Sequence, residues 1–416
     1  MQEQTIHTHT FENGLTLLVE PMRSVQSAAF SFLVPAGCVY EPDGQNGTVA
    51  VLSDWISRGA GDLNSRELLA ALDNLGVQGS ESPGVSFLTC SGATLAANLP
   101  EALKLYADIL LRPHLPDEEF LPAKAGIEQS LRANEDDPRQ KIIPELRRRC
   151  YEHPWGRPSD GTLEELPSVT ADGVREFYKR FMRPNGAILG IAGNVEFEPI
   201  KNCIGELFGS WGIQSDPELA TRPSGPAIDH ITHESEQTHI ALAYDAVSLP
   251  DPDYYTAWAA AAVLGQGMSS RLFTEVREKR GLCYSISASY GGLKHAGRVT
   301  CYAGTSSERA QETLDVTLAE IQRLADGVTQ NELDRCKAMS KSSLVMQQES
   351  TRQRSWSIAS NWHIRGRVVP LQEIKDAIDA LTIDSIQDYL ERHPAKSFTI
   401  LTLGPTALEV PDTLSS

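Results

Sequence analysis

The stretch SVTADGVREFYKRF (residues 168–181) indicates the fold, because a related stretch, ALTIDSIQDYLERH (380–393), occurs later in the chain. In each copy a threonine suited to cap a helix and an aspartate in the first turn precede an apolar strand that ends in glycine. Six positions match at a constant offset of 212 residues, pairing Val169, Thr170, Asp172, Val174, Phe177 and Arg180 with Leu381, Thr382, Asp384, Ile386, Tyr389 and Arg392. The two halves of the chain are therefore interpreted as copies of one fold.

A segment rich in proline and glycine separates the copies. It reads SWGIQSDPELATRPSGPAIDH (210–230), which is typical of an interdomain linker. A chain of 416 residues also exceeds what one hydrophobic core usually serves. We predict an N-terminal domain over 1–214, a linker over 215–228 and a C-terminal domain over 229–416.

Strand and helix signals alternate irregularly within each copy. Asn64 and Glu67 form a capping-box pattern for a helix that Gly76 ends, and Asp117 begins a longer helix. Apolar runs such as LTLLVE, AAFSFLVPAG, HIALAY and RVTCYAG are typical of strands. This order is too irregular for a doubly wound sheet, so we predict an α+β protein in which each domain is a mostly antiparallel sheet with helices on one face.

Composition excludes several classes of function. A net charge of −18 would repel a phosphate backbone, so we expect no nucleic-acid partner. No apolar run is long enough to span a bilayer, and the N-terminus lacks a basic start and an apolar segment, so we expect no membrane insertion and a cytoplasmic location. The seven cysteines lack Cys-x-x-Cys spacing, which favours reduced thiols.

The stretch NGTVAVLSDWISRGAG (46–61) resembles the active-site helix of the M16, or pitrilysin, metallopeptidases. In that family the pattern is G-x-x-H-x-x-E-H-x-x-x-K-G-T, in which the histidines bind zinc and the glutamate activates water. The frame is kept at Gly47, Leu52, Arg58 and Gly59. The segment IEQSLRANEDDP (127–138) resembles the part of the family that carries a third ligand, a glutamate.

The chemical positions of that motif have changed. Ala50, Ser53 and Asp54 stand at the His, Glu and His positions, and Gln129 stands at the glutamate. Zinc needs about four donors of the Cys, His or carboxylate type, which one aspartate and an amide do not supply. We therefore expect no metal and no catalytic residue in this chain.

A second histidine-rich segment, HITHE (230–234) followed by His239, could in principle bind metal elsewhere. His230 and His233 would lie on opposite faces of a strand, which favours ordinary strand histidines.

The C-terminal copy keeps the other distinctive element of the family, AVLGQGMSSRLFTEVREKRGLCYSISASY (262–290). A loop with Gly265 and Gly267 precedes a predicted helix over 269–280, which Gly281 ends before a strand begins. By resemblance, the glycine loop forms part of the substrate-binding element.

Within this element, Arg277 and Tyr284 occupy the family's arginine and tyrosine positions. The resemblance implies that they hold the backbone carbonyls of a bound peptide and offer a donor to the developing oxyanion. Without the resemblance, they could equally be a surface arginine and a half-buried strand tyrosine.

The resemblance covers essentially the whole chain and implies the LuxS/MPP-like metallohydrolase fold. In the M16B group, two-domain subunits pair so that one carries zinc and the other only the arginine and tyrosine, as in mitochondrial processing peptidase. The resemblance thus implies that this chain is a non-catalytic, substrate-binding subunit of a heterodimeric zinc endopeptidase. The partner would be an HxxEH-bearing homologue that holds the zinc, and the substrate would be a peptide.

Two alternatives stay open: a purely structural subunit, as in the bc1 core proteins, and, least favoured, an autonomous peptidase with unusual ligands. In 76–92, Pro83 and Gly84 argue against an edge strand that pairs with substrate.

Overall fold

The structure is a computed structural model and describes residues 4–411. It divides into two compact units. The first comprises the chain up to Ala133, Arg157–Thr221 and Val345–Leu371; the second comprises Asn134–Gly156, Arg222–Leu344 and the chain from Gln372 onward. Each unit thus contains one segment from the opposite half of the sequence.

The described strands form two sheets. The strands are β1 His7–Thr10, β2 Thr16–Pro21, β3 Ser27–Val34, β4 Gln78–Pro83, β5 Leu88–Leu95, β6 Ile188–Gly193, β7 Ile228–Thr232, β8 Gln237–Ala246, β9 Cys283–Gly292, β10 Gly297–Ser306 and β11 Thr399–Gly404. The first sheet has the order β1-β2-β6-β3-β5-β4, and the second has the order β7-β11-β8-β10-β9. Among the strands of residues 4–411, only the β2–β6 and β7–β11 pairings are parallel.

Helices connect and cover these strands. They are α1 Thr48–Trp55, α2 Ser65–Asn74, α3 Leu99–Leu111, α4 Asp117–Glu135, α5 Pro138–Cys150, α6 Ala171–Phe181, α7 Phe197–Phe208, α8 Tyr254–Gly265, α9 Ala310–Arg323, α10 Gln330–Gln348, α11 Thr351–Arg365, α12 Leu371–Ala380 and α13 Ile383–Arg392.

In the first unit, α1, α3, α6 and α7 share a hydrophobic core with strand β3. Every residue of β3 after Ser27 is buried, which indicates that both faces of the sheet are covered. The second face is covered by α11, where Ile358 and Ala359 pack on Leu33. Gly190 permits this contact, because a Cβ there would lie 2.2 Å from the Ser355 carbonyl oxygen.

The second unit repeats this arrangement. Helices α8, α9 and α13 share a core with β8, while Ile142 and Leu146 of α5 pack on Ala241 on the other face. The predicted α+β class and mostly antiparallel sheets are confirmed, and each sheet carries one additional helix on its opposite face. Helix α5 comes from the N-terminal half of the sequence but belongs to the second unit, and helix α11 comes from the C-terminal half but belongs to the first.

The internal repeat is visible in the helix caps. Thr170 accepts a hydrogen bond from the Gly173 backbone at the start of α6, and Thr382 accepts one from Ser385 at the start of α13. The helices lead to β6 and β11, the strands that each make the parallel pairing of their sheet. The sequence correspondence between the two copies therefore extends to topology.

Candidate functional site

Helix α1, which carries the altered zinc motif, is held at its N-terminus by Glu41. The carboxylate accepts hydrogen bonds from the Val49 backbone at 2.7 Å, the Gly47 backbone at 3.2 Å and Asn46 Nδ2 at 2.6 Å. Burial raises the pKa of Glu41 to about 7, opposed by these hydrogen bonds and by Arg157. Sequence reasoning missed Glu41, because its partners become apparent only once the loop folds back on the helix.

The motif positions on α1 are packed or engaged. The Ala50 side chain is buried, and the Ser53 hydroxyl donates to the Ala50 carbonyl at 2.8 Å. Asp54 Oδ1 accepts from Arg58 Nε at 2.5 Å, and the same guanidinium donates to Glu119 at 2.6 Å. Asp54, the one carboxylate at these positions, is therefore committed to an arginine.

Gln129, at the position of the third ligand, lies on α4 with an exposed side chain. Helix α4 passes close to α1, since a Cβ at Gly126 would lie 3.8 Å from Asp54 Oδ2. The fold thus brings the two motif segments into proximity.

The side chains at these positions do not fit zinc, because a methyl group, a hydroxyl, an amide and an arginine-bound carboxylate do not form a tetrahedral donor set. Across residues 4–411, no group of three or more His, Cys, Asp or Glu side chains is arranged to hold a metal ion.

The strand histidines make other contacts. His230 Nδ1 lies 2.8 Å from the Thr402 hydroxyl, and His239 Nδ1 lies 2.8 Å from the Tyr302 hydroxyl. These contacts account for one ring nitrogen of each imidazole.

The segment that contains Pro83 forms the edge of the first sheet. Strand β4 is an edge strand despite Pro83, and its residues from Gln78 to Ser80 are exposed. Pro83 is the last residue of β4, where a missing N–H disturbs the ladder least. The proline therefore does not prevent strand formation. At the other end of β4, the Gln78 carbonyl already accepts a hydrogen bond from Arg352.

Arg277 lies in a short π-helical turn, Phe273–Glu278, rather than in a regular α-helix. Its guanidinium lies over the Phe273 ring at 4.7 Å from the centroid, and the side chain is exposed. Gly281 follows with a φ of +61°, as expected for a residue that ends a helix. π-Helical turns are rare and often occur at functional sites.

Tyr284 lies at the start of β9, with 47% of its surface exposed. Its hydroxyl donates to Gln237 Oε1 at 2.7 Å. Partial burial raises the pKa of Tyr284, so the phenol is protonated at neutral pH and can donate. Within the described residues, no hydrogen bond joins Arg277 and Tyr284.

The two loop glycines meet separate local requirements. A Cβ at Gly265 would lie 2.0 Å from the Ala288 backbone nitrogen, so α8 approaches β9 closely at this point. Gly267 has a φ of +85°, a conformation that favours glycine.

The central part of the sequence is similar to a known family. Residues 168–340 match the family model described as the Peptidase M16 inactive domain. This segment of the chain is therefore similar to the M16 peptidase family.

Relatives with similar full-length sequences are named as zinc proteases. An uncharacterized zinc protease, YmxG of Bacillus subtilis, is 26% identical over 407 residues, covering 96% of this chain and 98% of the relative. One from Rickettsia bellii is 26% identical over 410 residues, covering 98% and 99%.

Solved structures share the fold over nearly the whole chain. A peptidase M16 inactive domain from Pseudomonas fluorescens has a TM-score of 0.87 at 20% identity, covering 98% of this chain and 99% of that one. A protease from Helicobacter pylori also has a TM-score of 0.87, at 18% identity, covering 98% and 100%. A chain of complex III2 from Candida albicans has a TM-score of 0.81 at 19% identity, covering 96% of each.

Among the helices of the described chain, none combines the length and apolar character needed to cross a bilayer.

Proposed function

We propose that this chain is the non-catalytic, substrate-binding subunit of a heterodimeric M16B zinc endopeptidase. The observation that carries the proposal is the contrast between the two motif elements. Ala50 and Asp54 offer no free donor set for zinc, whereas the C-terminal element presents an exposed Tyr284 with a protonated hydroxyl.

In this proposal, Arg277 and Tyr284 act on a peptide whose cleavage is catalysed by the partner. The exposed guanidinium of Arg277 donates to backbone carbonyls of the peptide, and the phenol of Tyr284 donates to the oxyanion that forms at the scissile carbonyl. Gly265 and Gly267 shape the loop that precedes this element.

The zinc would be held by a homologue that keeps the His-x-x-Glu-His motif, since the side chains at these positions here do not fit the metal. The naming of full-length relatives as zinc proteases supports a peptidase context. A reducing, cytoplasmic compartment is favoured by the seven cysteines, all of which are free thiols and six of which are buried.

The test is Tyr284→Phe in the complex reconstituted with the zinc-bearing homologue. A donor directed at an oxyanion is commonly worth about a hundredfold in rate, so we expect cleavage to fall on that order while assembly is unchanged. The matched control is Tyr290→Phe on the same strand, which removes a hydroxyl that donates to the Val247 carbonyl at 2.7 Å. Arg277→Ala should likewise reduce cleavage without affecting assembly.

A purely structural subunit is the second candidate, favoured by the fold shared with a chain of complex III2. A structural subunit would assemble with its partner and show no effect of Tyr284→Phe on cleavage. Parental cleavage by both Tyr284→Phe and Arg277→Ala complexes would therefore replace the first proposal with the second.

A further inference from the structure

The backbone around Tyr284 contains an irregularity that directs its side chain. Ser285 of β9 pairs with Gly304 of β10, but Thr305 pairs with Cys283, so Tyr284 is the extra residue of a β-bulge. Bulges occur next to active sites, where they redirect a side chain out of the regular alternation.

The bulge is fixed from the neighbouring strand. The buried Thr305 hydroxyl donates to the Leu282 carbonyl at 2.5 Å, just before the bulge. The backbone that leads into Tyr284 is therefore held by a side chain of β10.

The Tyr284 ring then lies directly on Gly304. A Cβ at residue 304 would lie 2.5 Å from the Tyr284 hydroxyl oxygen, 2.7 Å from Cζ and 3.0 Å from Cε2. These distances are shorter than van der Waals contact, so a Cβ at this position would displace the Tyr284 ring from this orientation.

The hydroxyl group at the end of the ring donates to Gln237 and also lies within hydrogen-bond reach of the Tyr302 hydroxyl. Gln237 is an exposed residue at the start of β8, and its amide oxygen accepts the Tyr284 hydrogen bond. The Gln237 amide is neutral, so it can orient the phenol without deprotonating it, and the bond can be exchanged for one to a peptide oxyanion.

We infer that Gly304 and Gln237 are positioning residues that fix the Tyr284 hydroxyl where it meets the scissile region of a bound peptide. This inference rests on the proposed function for its role in cleavage, while the positioning itself is a property of the isolated chain. Neither residue touches the peptide in this scheme; both act through Tyr284.

The first measurement does not depend on cleavage. The chain is labelled with 3-fluorotyrosine, and the fluorine resonance of Tyr284 is identified as the one lost in Tyr284→Phe. We expect Gly304→Ala and Gln237→Ala to shift this resonance. Gly291→Ala should leave it unchanged, because a Cβ at Gly291 on β9 meets no atom within 4 Å.

The second measurement uses the complex with the zinc-bearing homologue. Misplacing a catalytic group by about 1 Å can cost up to a hundredfold, so Gly304→Ala should lower kcat by about tenfold or more with KM little changed. In a Tyr284→Ala background, Gly304→Ala should have no further effect. Gln237→Met, which keeps the length of the side chain but offers no oxygen acceptor, should lower kcat to the level of Gln237→Ala.

An unshifted Tyr284 resonance in both Gly304→Ala and Gln237→Ala would overturn the inference. An equal loss of kcat from Gly304→Ala with or without Tyr284 would also overturn it, since it would indicate a general structural defect. Parental cleavage by Tyr284→Phe, in contrast, would contradict the proposed function. The fluorine resonance would then still show whether Gly304 and Gln237 position the Tyr284 ring.

Discussion

Arg354 on α11 donates to Glu20 on β2 through Nε at 2.9 Å, in the interior of the first unit. The two residues are only 1% and 6% exposed, and Gln4 donates to the other carboxylate oxygen at 2.8 Å. This ion pair attaches α11 to a sheet built otherwise from the N-terminal half of the sequence. It therefore links two segments of the first unit that are more than three hundred residues apart.

We predict that Arg354→Met strongly destabilises the first unit, because it leaves the Glu20 carboxylate buried without its partner. Breaking a buried pair in this way costs about 3 to 5 kcal/mol, measured as the free energy of unfolding in urea. Arg354→Met combined with Glu20→Leu should recover much of the loss, because the double variant leaves no buried charge.

The control for this prediction is Arg23→Met. Arg23 pairs with Glu196 in the same unit, but the two side chains are 68% and 72% exposed, so the loss should be at most about 1 kcal/mol. If Arg354→Met and Arg23→Met lower the free energy of unfolding equally, burial does not determine how much the Arg354–Glu20 pair contributes to stability.

The local features of the fold were predictable because they depend on neighbouring residues. The threonine caps of α6 and α13 and the Asn64–Glu67 capping box all form as the sequence indicates. The exchange of α5 and α11 was not predictable, because it depends on which sheet face stays uncovered after folding.

The candidate site also has features that the sequence predicts and features that depend on the folded structure. The loss of zinc donors at Ala50 and Ser53 was readable from the motif spacing, but the commitment of Asp54 to Arg58 required the folded helix. The contact of Gln237 with Tyr284 was also hidden, because it depends on strand register across forty-seven residues and on a bulge.

A second prediction concerns Gly265, for which the resemblance implied a place in the substrate-binding element. Gly265→Ala should destabilise the second unit by about 1 to 3 kcal/mol through overpacking, because the new Cβ would meet the backbone and Cβ of Ala288. Thermal or urea unfolding measures the loss, with Gly291→Ala as the matched change into open space. A fully stable Gly265→Ala variant with impaired peptide binding would assign the glycine to substrate contact instead.

A third prediction concerns metal content. The purified chain should contain no stoichiometric zinc after dialysis against the metal, because Ala50, Ser53 and Gln129 offer no metal donor and Asp54 is bound to Arg58. Elemental analysis of this chain beside a zinc-bearing homologue measures the difference. About one tightly held zinc per chain would contradict the prediction and the donor argument behind it.

The fourth prediction uses Glu332, whose carboxylate accepts from Arg271 Nε at 2.7 Å and Nη2 at 2.9 Å. Burial raises the pKa of Glu332, but Arg271 and the Thr329 backbone amide outweigh burial and lower it to about 2. A depressed pKa means that the folded chain binds this proton less readily than the unfolded chain. The resulting stability is present above pH 4.5 and is lost as the pH falls toward about 2.

Glu332→Gln should therefore lower the free energy of unfolding of the second unit by about 2 kcal/mol at neutral pH, because solvent screening reduces the roughly 1.4 kcal/mol that each pKa unit contributes. Urea unfolding of the parental chain and the variant at a series of pH values should show the gap closing as the pH falls below about 4.5, because protonation removes the same charge from Glu332. Glu128→Gln, at an exposed pair with Arg132, should show a gap of at most about 1 kcal/mol at every pH. A Glu332→Gln gap of the same size at pH 7 and pH 3 would show that the charge of Glu332 does not stabilise the turn before α10.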